Sequence, residues 1–168
     1  MVFPKFADWK FQDKYKNYIF QSLLTFVCMS FVLLLYDMLG GIIVASIGAS
    51  SFILFVTPHT KASRAKNIVG GYICGAVSGM VFGLLHNYIA GFSFFGAHYA
   101  LIFICAASSA VTTFLMISTK LVHPPAAALA LGLSADPNCI MTAMAAVGGV
   151  TILCAARRLL SDNLKDLI

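Results

Sequence analysis

Residues 67–119 contain no Asp, Glu, Lys or Arg, and within residues 17–60 the one such residue is Asp37. A soluble domain has about a quarter charged residues, whereas this chain of 168 residues is 60% hydrophobic and 10% charged. A core built from so few residues is too small to bury two such stretches, and lipid is the solvent that suits them. The sequence therefore predicts an all-α integral membrane protein.

Six apolar segments follow one another along the chain. Four approach the roughly 20 helical residues that cross the hydrocarbon layer of a bilayer. Two are irregular, one because it contains Gly48 and the other because it contains the sequence His-Pro-Pro. The full spans are predicted at 18–36, 67–85, 97–118 and 140–156, and the irregular segments at 40–57 and 121–133.

The basic residues indicate how these segments are oriented, because cytoplasmic loops are rich in Lys and Arg. With the N-terminus inside and six crossings, every basic residue except Lys120 lies at the cytoplasmic face. Four spans with two re-entrant loops are the alternative, but they put Asp37 on the same face as the basic loop 61–66. We therefore favour six crossings of the plasma (inner) membrane, with the N- and C-termini in the cytoplasm.

Six crossings divide into two sets of three, and each set reads as full span, irregular segment, full span. Three crossings per set place the two sets in opposite orientations, which is the inverted-repeat plan of many transporters. We expect a transmembrane domain at 18–156, with repeats at about 18–86 and 97–156. Residues 1–17 are predicted to form an interfacial amphipathic segment that contacts lipid headgroups, and residues 157–168 a cytoplasmic tail.

The irregular segments predict half-helices that begin inside the membrane. Proline suits the first helical turn and keeps the preceding residue out of helical dihedrals, so a helix should run from Pro125 to Leu133. Gly48 should turn the chain, so that a second helix runs from Ala49 to Thr57. Two such starts, each with unpaired N–H groups and about half a positive charge, would bind an anion between them. The alternative is that the prolines and Gly48 only kink two packed helices.

Side chains near these starts complete the candidate anion site. Lys120 either attracts the anion or extends to the inner surface, and His123 either donates a hydrogen bond to an oxyanion or has a structural role. The serine hydroxyls either bind the anion or bond back to their own helix. The predicted substrate-binding residues are Ser46, Gly48, Ala49, Ser50, Ser51, Lys120, His123, Pro124, Pro125, Ala126 and Ala127.

A glycine recurs at every fourth position of the span 67–85, which produces a bare stripe on one face of the helix. Such a stripe more often serves packing than chemistry, and it would let a neighbour such as a half-helix approach closely. The predicted structural residues are Asn67, Gly71, Gly75 and Gly79.

Other classes of function have little support in the sequence. The four His are scattered, so we expect no metal site, and we expect no other cofactor. The predicted spans contain no pair of acidic residues, no nucleophile elbow and no phosphate-binding glycine loop, so we do not expect an enzyme. The net charge of +5 marks a membrane face instead of a nucleic-acid site. The small-residue faces are compatible with a homodimer or homotrimer.

Three motifs occur in order along the chain. They are Val-Ala-Ser-Ile-Gly-Ala-Ser-Ser at 44–51, Asn-Ile-Val-Gly-Gly at 67–71 and His-Pro-Pro-Ala-Ala at 123–127. In these motifs the chain resembles the HPP family of integral membrane proteins, over residues 20–156. The resemblance implies a transporter, and members of the family in cyanobacteria and chloroplast envelopes are associated with nitrite movement.

Two positions depart from the family pattern: Ala127 stands where a Gly is expected, and Tyr72 where a His is expected. We predict a channel or carrier for a small monovalent anion such as nitrite, bound between the two half-helix starts near the bilayer midplane. The alternatives are a non-transporting sensor or assembly subunit, and permeation of the protonated acid. Apart from the anion, membrane lipid is the expected partner.

Overall fold

The computed structural model describes residues 11–35, 41–89 and 97–167. These residues form helices and the turns that join them, with no strand in the described ranges, which confirms the predicted all-α class. Most of the predicted interfacial segment, residues 1–10, lies outside the described residues. The helices are α1 (Phe11–Leu35), α2 (Gly41–Val56), α3 (Ala65–Ile89), α4 (Ala97–Thr119), α5 (Pro125–Ser134) and α6 (Cys139–Leu159), followed by a 3-10 helix at Ser161–Asn163.

Three helices are long and apolar enough to cross a membrane, among the residues whose side chains are described. They cover Ala65–Tyr88, His98–Thr119 and Cys139–Leu159. Large apolar side chains project from their surfaces, as in Phe103, which is 73% exposed. A contiguous apolar surface of this extent is unusual in a soluble protein and is stable in lipid. The chain is therefore an integral membrane protein, and the orientation of its termini stays a prediction.

The helix α2 runs without interruption through Gly48. The prediction that Gly48 turns the chain and that a helix begins at Ala49 is therefore wrong. A glycine inside a helix costs only about 1 kcal/mol relative to alanine. The burial of Ile47, Leu54 and Phe55 on the same helix outweighs that cost. By contrast, α5 begins at Pro125, the predicted residue, and is ten residues long.

The short helix α5 lies along the glycine stripe of α3. A Cβ atom placed on Gly71 would lie 2.7 Å from the Cβ of His123, and one on Gly79 would lie 2.7 Å from the Cβ of Leu133. On Gly75, a Cβ would collide with the backbone carbonyl of Ala126. Since real Cβ atoms do not approach other atoms this closely, any side chain at these positions would displace α5.

The helix contacts repeat when α1, α2 and α3 are exchanged for α4, α5 and α6. The α1–α2 contact then corresponds to α4–α5, the α2–α6 contact to α5–α3, and the α1–α6 contact to α4–α3. The α2–α5 and α3–α6 contacts correspond to themselves. The exchange is approximate, because the α5–α6 contact has no counterpart of similar extent between α2 and α3 in their described residues, and a repeat like that of transporters stays a prediction. The opposite orientation of the two halves stays a prediction.

The residues after α6 fold back onto the ends of α1 and α2. The backbone N–H of Leu167 donates a hydrogen bond to the carbonyl of Val56 (2.9 Å). The buried Gln21 of α1 donates from Nε2 to the carbonyl of Lys165 (2.8 Å). Since Leu164 and Leu167 are also buried, the end of the chain is packed against the helices as far as it is described.

Candidate functional site

The turn that ends α4 places Lys120 in a left-handed backbone conformation, with φ at 57°. The N–H of Leu121 donates to the carbonyl of Met116 (3.0 Å), and the N–H of Lys120 donates to that of Ile117 (3.2 Å). These bonds form a Schellman motif, in which glycine is the usual residue at this position. The left-handed conformation costs a residue with a side chain about 1–2 kcal/mol. The side chain of Lys120 is exposed, and its role in attracting an anion stays a prediction.

The backbone N–H groups in the first turn of α5 are already bonded. Pro124 and Pro125 have no N–H, and the N–H groups of Ala126 and Ala127 donate to the carbonyls of His123 and Pro124, both at 3.0 Å. The backbone N–H groups at this helix start are therefore satisfied within the turn, and their binding of an anion stays a prediction. The two prolines remove two donors, and the turn that they enforce uses the other two.

Four polar side chains meet beside this helix start, and we call them the hydroxyl–imidazole cluster. They are Ser46 and Ser50 of α2, Tyr72 of α3, and His123 in the segment before α5. Each is at most 1% exposed. The Oγ of Ser50 lies 2.8 Å from the hydroxyl of Tyr72 and 2.8 Å from Nε2 of His123. The Oγ of Ser46 lies 2.9 Å from the hydroxyl of Tyr72 and donates to the carbonyl of Pro125 (2.7 Å).

Local sequence rules explain why these side chains converge. Ser46 and Ser50 are four residues apart, so they share one face of α2. His123 precedes a proline, which keeps it outside the helix, and Gly71 leaves the space into which its Cβ packs. The neighbouring Tyr72 then stands beside the imidazole, with ring centroids 5.6 Å apart.

Counting hydroxyl protons assigns the direction of each hydrogen bond, since a hydroxyl donates once. Ser46 donates to the Pro125 carbonyl, so Tyr72 donates to Ser46 and Ser50 donates to Tyr72. His123 must then donate from Nε2–H to Ser50. Ser50 also lies 3.0 Å from the carbonyl of Ser46, and sharing its proton there leaves the direction of the imidazole bond unchanged. The reverse assignment leaves the contact between Ser46 and Tyr72 without a proton.

With Nε2–H donating to Ser50, and because burial without a counter-charge disfavours the imidazolium, we assign His123 as a neutral imidazole whose Nδ1 atom is an acceptor. Nδ1 is buried and has no hydrogen-bond partner. An unsatisfied buried polar atom costs about 1–3 kcal/mol, so a donor that reached it would be bound favourably. Within the cluster, Nδ1 is the atom that is open to a ligand.

Several predicted site residues lie outside the cluster. The buried Ser51 donates to the carbonyl of Gly48 in its own helix (2.7 Å), which is the alternative that the sequence left open. Ala49 and Lys120 are exposed, and Ala127 is partly buried. Of the predicted residues, the cluster therefore includes Ser46, Ser50 and His123, while Pro125 contacts it through the carbonyl bonded to Ser46.

Asn67 and Tyr72 have structural roles that differ in how far the sequence predicted them. Asn67, predicted to be structural, donates from its amide to the carbonyl of Lys61 (2.9 Å) and so ties the loop before α3 to that helix. Tyr72 bonds to both serines of the cluster, yet the sequence marked it only as a departure from a family pattern. The available signal was its polar tip within an apolar helix, because a buried tyrosine hydroxyl usually finds a partner.

Comparison with known proteins identifies a family. The family model described as HPP, transmembrane region, matches residues 11–165, a range that includes α1 to α6 and the 3-10 helix. No curated protein and no solved structure matches the chain.

Proposed function

The chain belongs to the HPP family of transmembrane proteins, and on that premise we propose that it moves a small monovalent anion across the membrane. Nitrite is the first substrate to test, because the resemblance of the three motifs to HPP proteins implies it. We propose that the anion binds at the hydroxyl–imidazole cluster beside the start of α5. The observation that carries the proposal is the meeting of Ser46, Ser50, Tyr72 and His123 inside the helix bundle.

A polar cluster inside a membrane domain is costly to bury and is therefore a candidate for function. Its side chains bond to one another across α2, α3 and the segment before α5. An anion that reached His123 would receive a hydrogen bond from an imidazole N–H, and the hydroxyls of the cluster would be further donors. Hydrogen bonds to an ionised group are stronger than those between neutral groups. Replacing bonds within the cluster by bonds to an anion would therefore favour binding.

Two positive features support an anion over a cation. The start of α5 directs the positive end of its helix dipole at the cluster, although its N–H groups are internally bonded. The side chain of Lys120 carries a full charge at the end of α4, three residues before His123. A cation would be repelled by both features.

The cluster is closed to water in this structure, because its four side chains are at most 1% exposed. Two hydrogen bonds close it by joining α2 to the start of α5, one from Ser46 to the Pro125 carbonyl and one between Ser50 and His123. Access for an anion therefore requires that α2 and α5 separate. We propose that this separation is the step that opens the pathway.

Uptake of nitrite into liposomes that contain the purified protein tests the proposal. Ser50→Ala should lower the protein-dependent rate about tenfold or more, because a hydrogen bond to a charged group contributes about 1.5–3 kcal/mol. Ser51→Ala is the matched control, since Ser51 is also buried but bonds back to its own helix. Uptake no faster than in empty liposomes would count against transport and favour a sensor or assembly subunit.

A further inference from the structure

We propose that Nδ1 of His123 takes up one proton for each anion that binds, so that the anion and the proton cross together. This inference rests on the proposed function, since it concerns the chemistry of the same cluster. Two observations lead to it: the cluster is neutral as it stands, and its one open atom is an acceptor.

Among the residues that the structure describes, the groups around His123 provide no fixed charge to pair with a buried anion. Neither α2 nor α5 contains an Asp, Glu, Lys or Arg, and α3 contributes the hydroxyl of Tyr72. On α6, the titratable group that interacts electrostatically with Tyr72 is the thiol of Cys154, which is uncharged when protonated. Arg157 interacts electrostatically with that thiol. Its guanidinium donates a hydrogen bond to the carbonyl of Pro58 and not to the cluster. Lys120 is exposed.

An anion alone in this cluster would therefore be an unpaired buried charge, which is strongly unfavourable. It would also meet the lone pair of Nδ1, which repels it. If His123 gains a proton at Nδ1, the imidazolium keeps its Nε2–H bond to Ser50 and directs a new N–H at the anion. The bound pair is then neutral overall, with both imidazole nitrogens acting as donors.

The proton balance is the same for two routes of entry. In one, the anion and a proton arrive from water separately, and Nδ1 takes the proton. In the other, the neutral acid arrives and transfers its proton to Nδ1. On release the imidazolium returns the proton, and His123 is again neutral with Nδ1 bare. Both routes carry one proton and one negative charge in the same direction, so transport is electroneutral.

Liposomes that contain the full chain and an internal pH indicator test the proposal, with empty liposomes subtracted. With the membrane voltage held at zero, nitrite uptake should acidify the interior by one proton per anion, and an imposed voltage should not alter the rate. Since one proton is taken up per cycle, the rate should rise about tenfold for each unit that the external pH falls, until the site saturates. Uptake that follows the voltage without acidification would overturn the coupling and leave the anion pathway standing. No uptake at all would remove the proposed function, and this inference with it.

Nitrate separates the two routes, because its strong parent acid is scarcely present as a neutral molecule in water. If the anion and the proton enter separately, nitrate uptake should also acidify the interior. If only the neutral acid enters, acidification should occur with nitrite and with formate but not with nitrate. Acidification with nitrate supports uptake of a proton at the cluster. Acidification with nitrite and formate alone would indicate passage of the intact acid and would count against a proton carried on His123.

The variant His123→Gln tests whether Nδ1 of His123 is the atom that takes up the proton. The glutamine amide can replace the Nε2–H donor to Ser50 but cannot be protonated, so uptake should fall, and the uptake that remains should show neither acidification nor pH dependence. Retention of both would overturn the assignment to Nδ1. An independent readout is ¹⁵N NMR of histidine-labelled wild-type protein, with His123 identified from the variant. Nδ1 should be unprotonated at neutral pH and protonated when nitrite is added at acidic pH. A protonated Nδ1 at neutral pH in the protein without anion would overturn the proposal.

Discussion

Nε2 of His123 lies 2.8 Å from Oγ of Ser50, and this contact joins the segment before α5 to the middle of α2. The hydroxyl of Tyr72 extends the same network to Ser46, which is bonded to the Pro125 carbonyl. One connected set of hydrogen bonds therefore holds three helices at the point where α5 begins. A change in any member is expected to affect both the packing of α5 and the candidate anion site.

Removing the hydroxyl of Tyr72 should weaken this network. Tyr72→Phe keeps the ring but deprives both serines of a partner, and we expect a loss of about 1–3 kcal/mol in the free energy of unfolding. Thermal unfolding in detergent measures the loss, and nitrite uptake should fall with it. Tyr99→Phe is the control, since Tyr99 is 60% exposed on α4. Equal effects of the two variants would contradict a role for the Tyr72 hydroxyl.

The two glycines Gly48 and Gly75 should respond in opposite directions to alanine. A Cβ on Gly48 would meet nothing within 4 Å, so Gly48→Ala should stabilise α2 by about 1 kcal/mol through helix propensity alone. A Cβ on Gly75 would collide with the carbonyl of Ala126 in α5. Gly75→Ala should therefore lower the unfolding temperature and disturb the start of α5.

Unfolding temperatures of the two alanine variants, measured in the same detergent, check this expectation. A loss of stability in Gly48→Ala as large as that in Gly75→Ala would restore the idea that the chain needs a break at residue 48.

The two irregular segments show what the sequence can and cannot predict. Proline acts through its own ring and its missing N–H, so the start of α5 at Pro125 follows from local chemistry. The effect of Gly48 depends on tertiary burial, because a small propensity cost is overridden when the residues around it pack against other helices. The sequence around Gly48 does not show which of its neighbours are buried against other helices.

The candidate site shows the same division. Ser46, Ser50 and His123 were nominated because they lie near Gly48 and the His-Pro-Pro sequence, although the helix start predicted after Gly48 was wrong. The role of Tyr72 depends on which face of α3 meets α2, and this is a property of the packed helices. The absence of N–H groups at Pro124 and Pro125 was visible in the sequence. That Ala126 and Ala127 bond within the turn became clear only from the backbone geometry.

Lys120 should matter through its charge, since its backbone conformation favours glycine. Lys120→Gly relieves the left-handed strain and should leave the stability unchanged or raise it by about 1 kcal/mol. The same change should slow anion uptake, because the positive charge near the site is lost. Lys120→Glu should slow uptake further, while Lys61→Glu in the loop before α3 should have a smaller effect. Equal reductions from Lys120→Glu and Lys61→Glu would indicate a general surface effect.

The packing of the chain end against α1 and α2 should depend on Gln21. Gln21 is 1% exposed, and its Nε2 donates to the carbonyls of Phe55 and Lys165, at 2.7 and 2.8 Å. Gln21→Leu leaves both carbonyls without this donor, so the end of the chain should detach more often. We expect the amide of Leu167, which donates to Val56, to exchange its hydrogen for deuterium about two- to tenfold faster, since the lost bond to Lys165 corresponds to about 0.5–1.5 kcal/mol.

Hydrogen–deuterium exchange measured by mass spectrometry on the C-terminal peptide checks this, with Ser22→Ala as the control. Ser22 neighbours Gln21 on α1 but is exposed, so its replacement should leave the exchange unchanged. The cause would be local, because α6 and the hydroxyl–imidazole cluster do not depend on Gln21 for any of their hydrogen bonds described above. Faster exchange throughout α2 and α3 in Gln21→Leu would instead mean that the variant destabilises the whole bundle, and the chain end would then not be a separate unit.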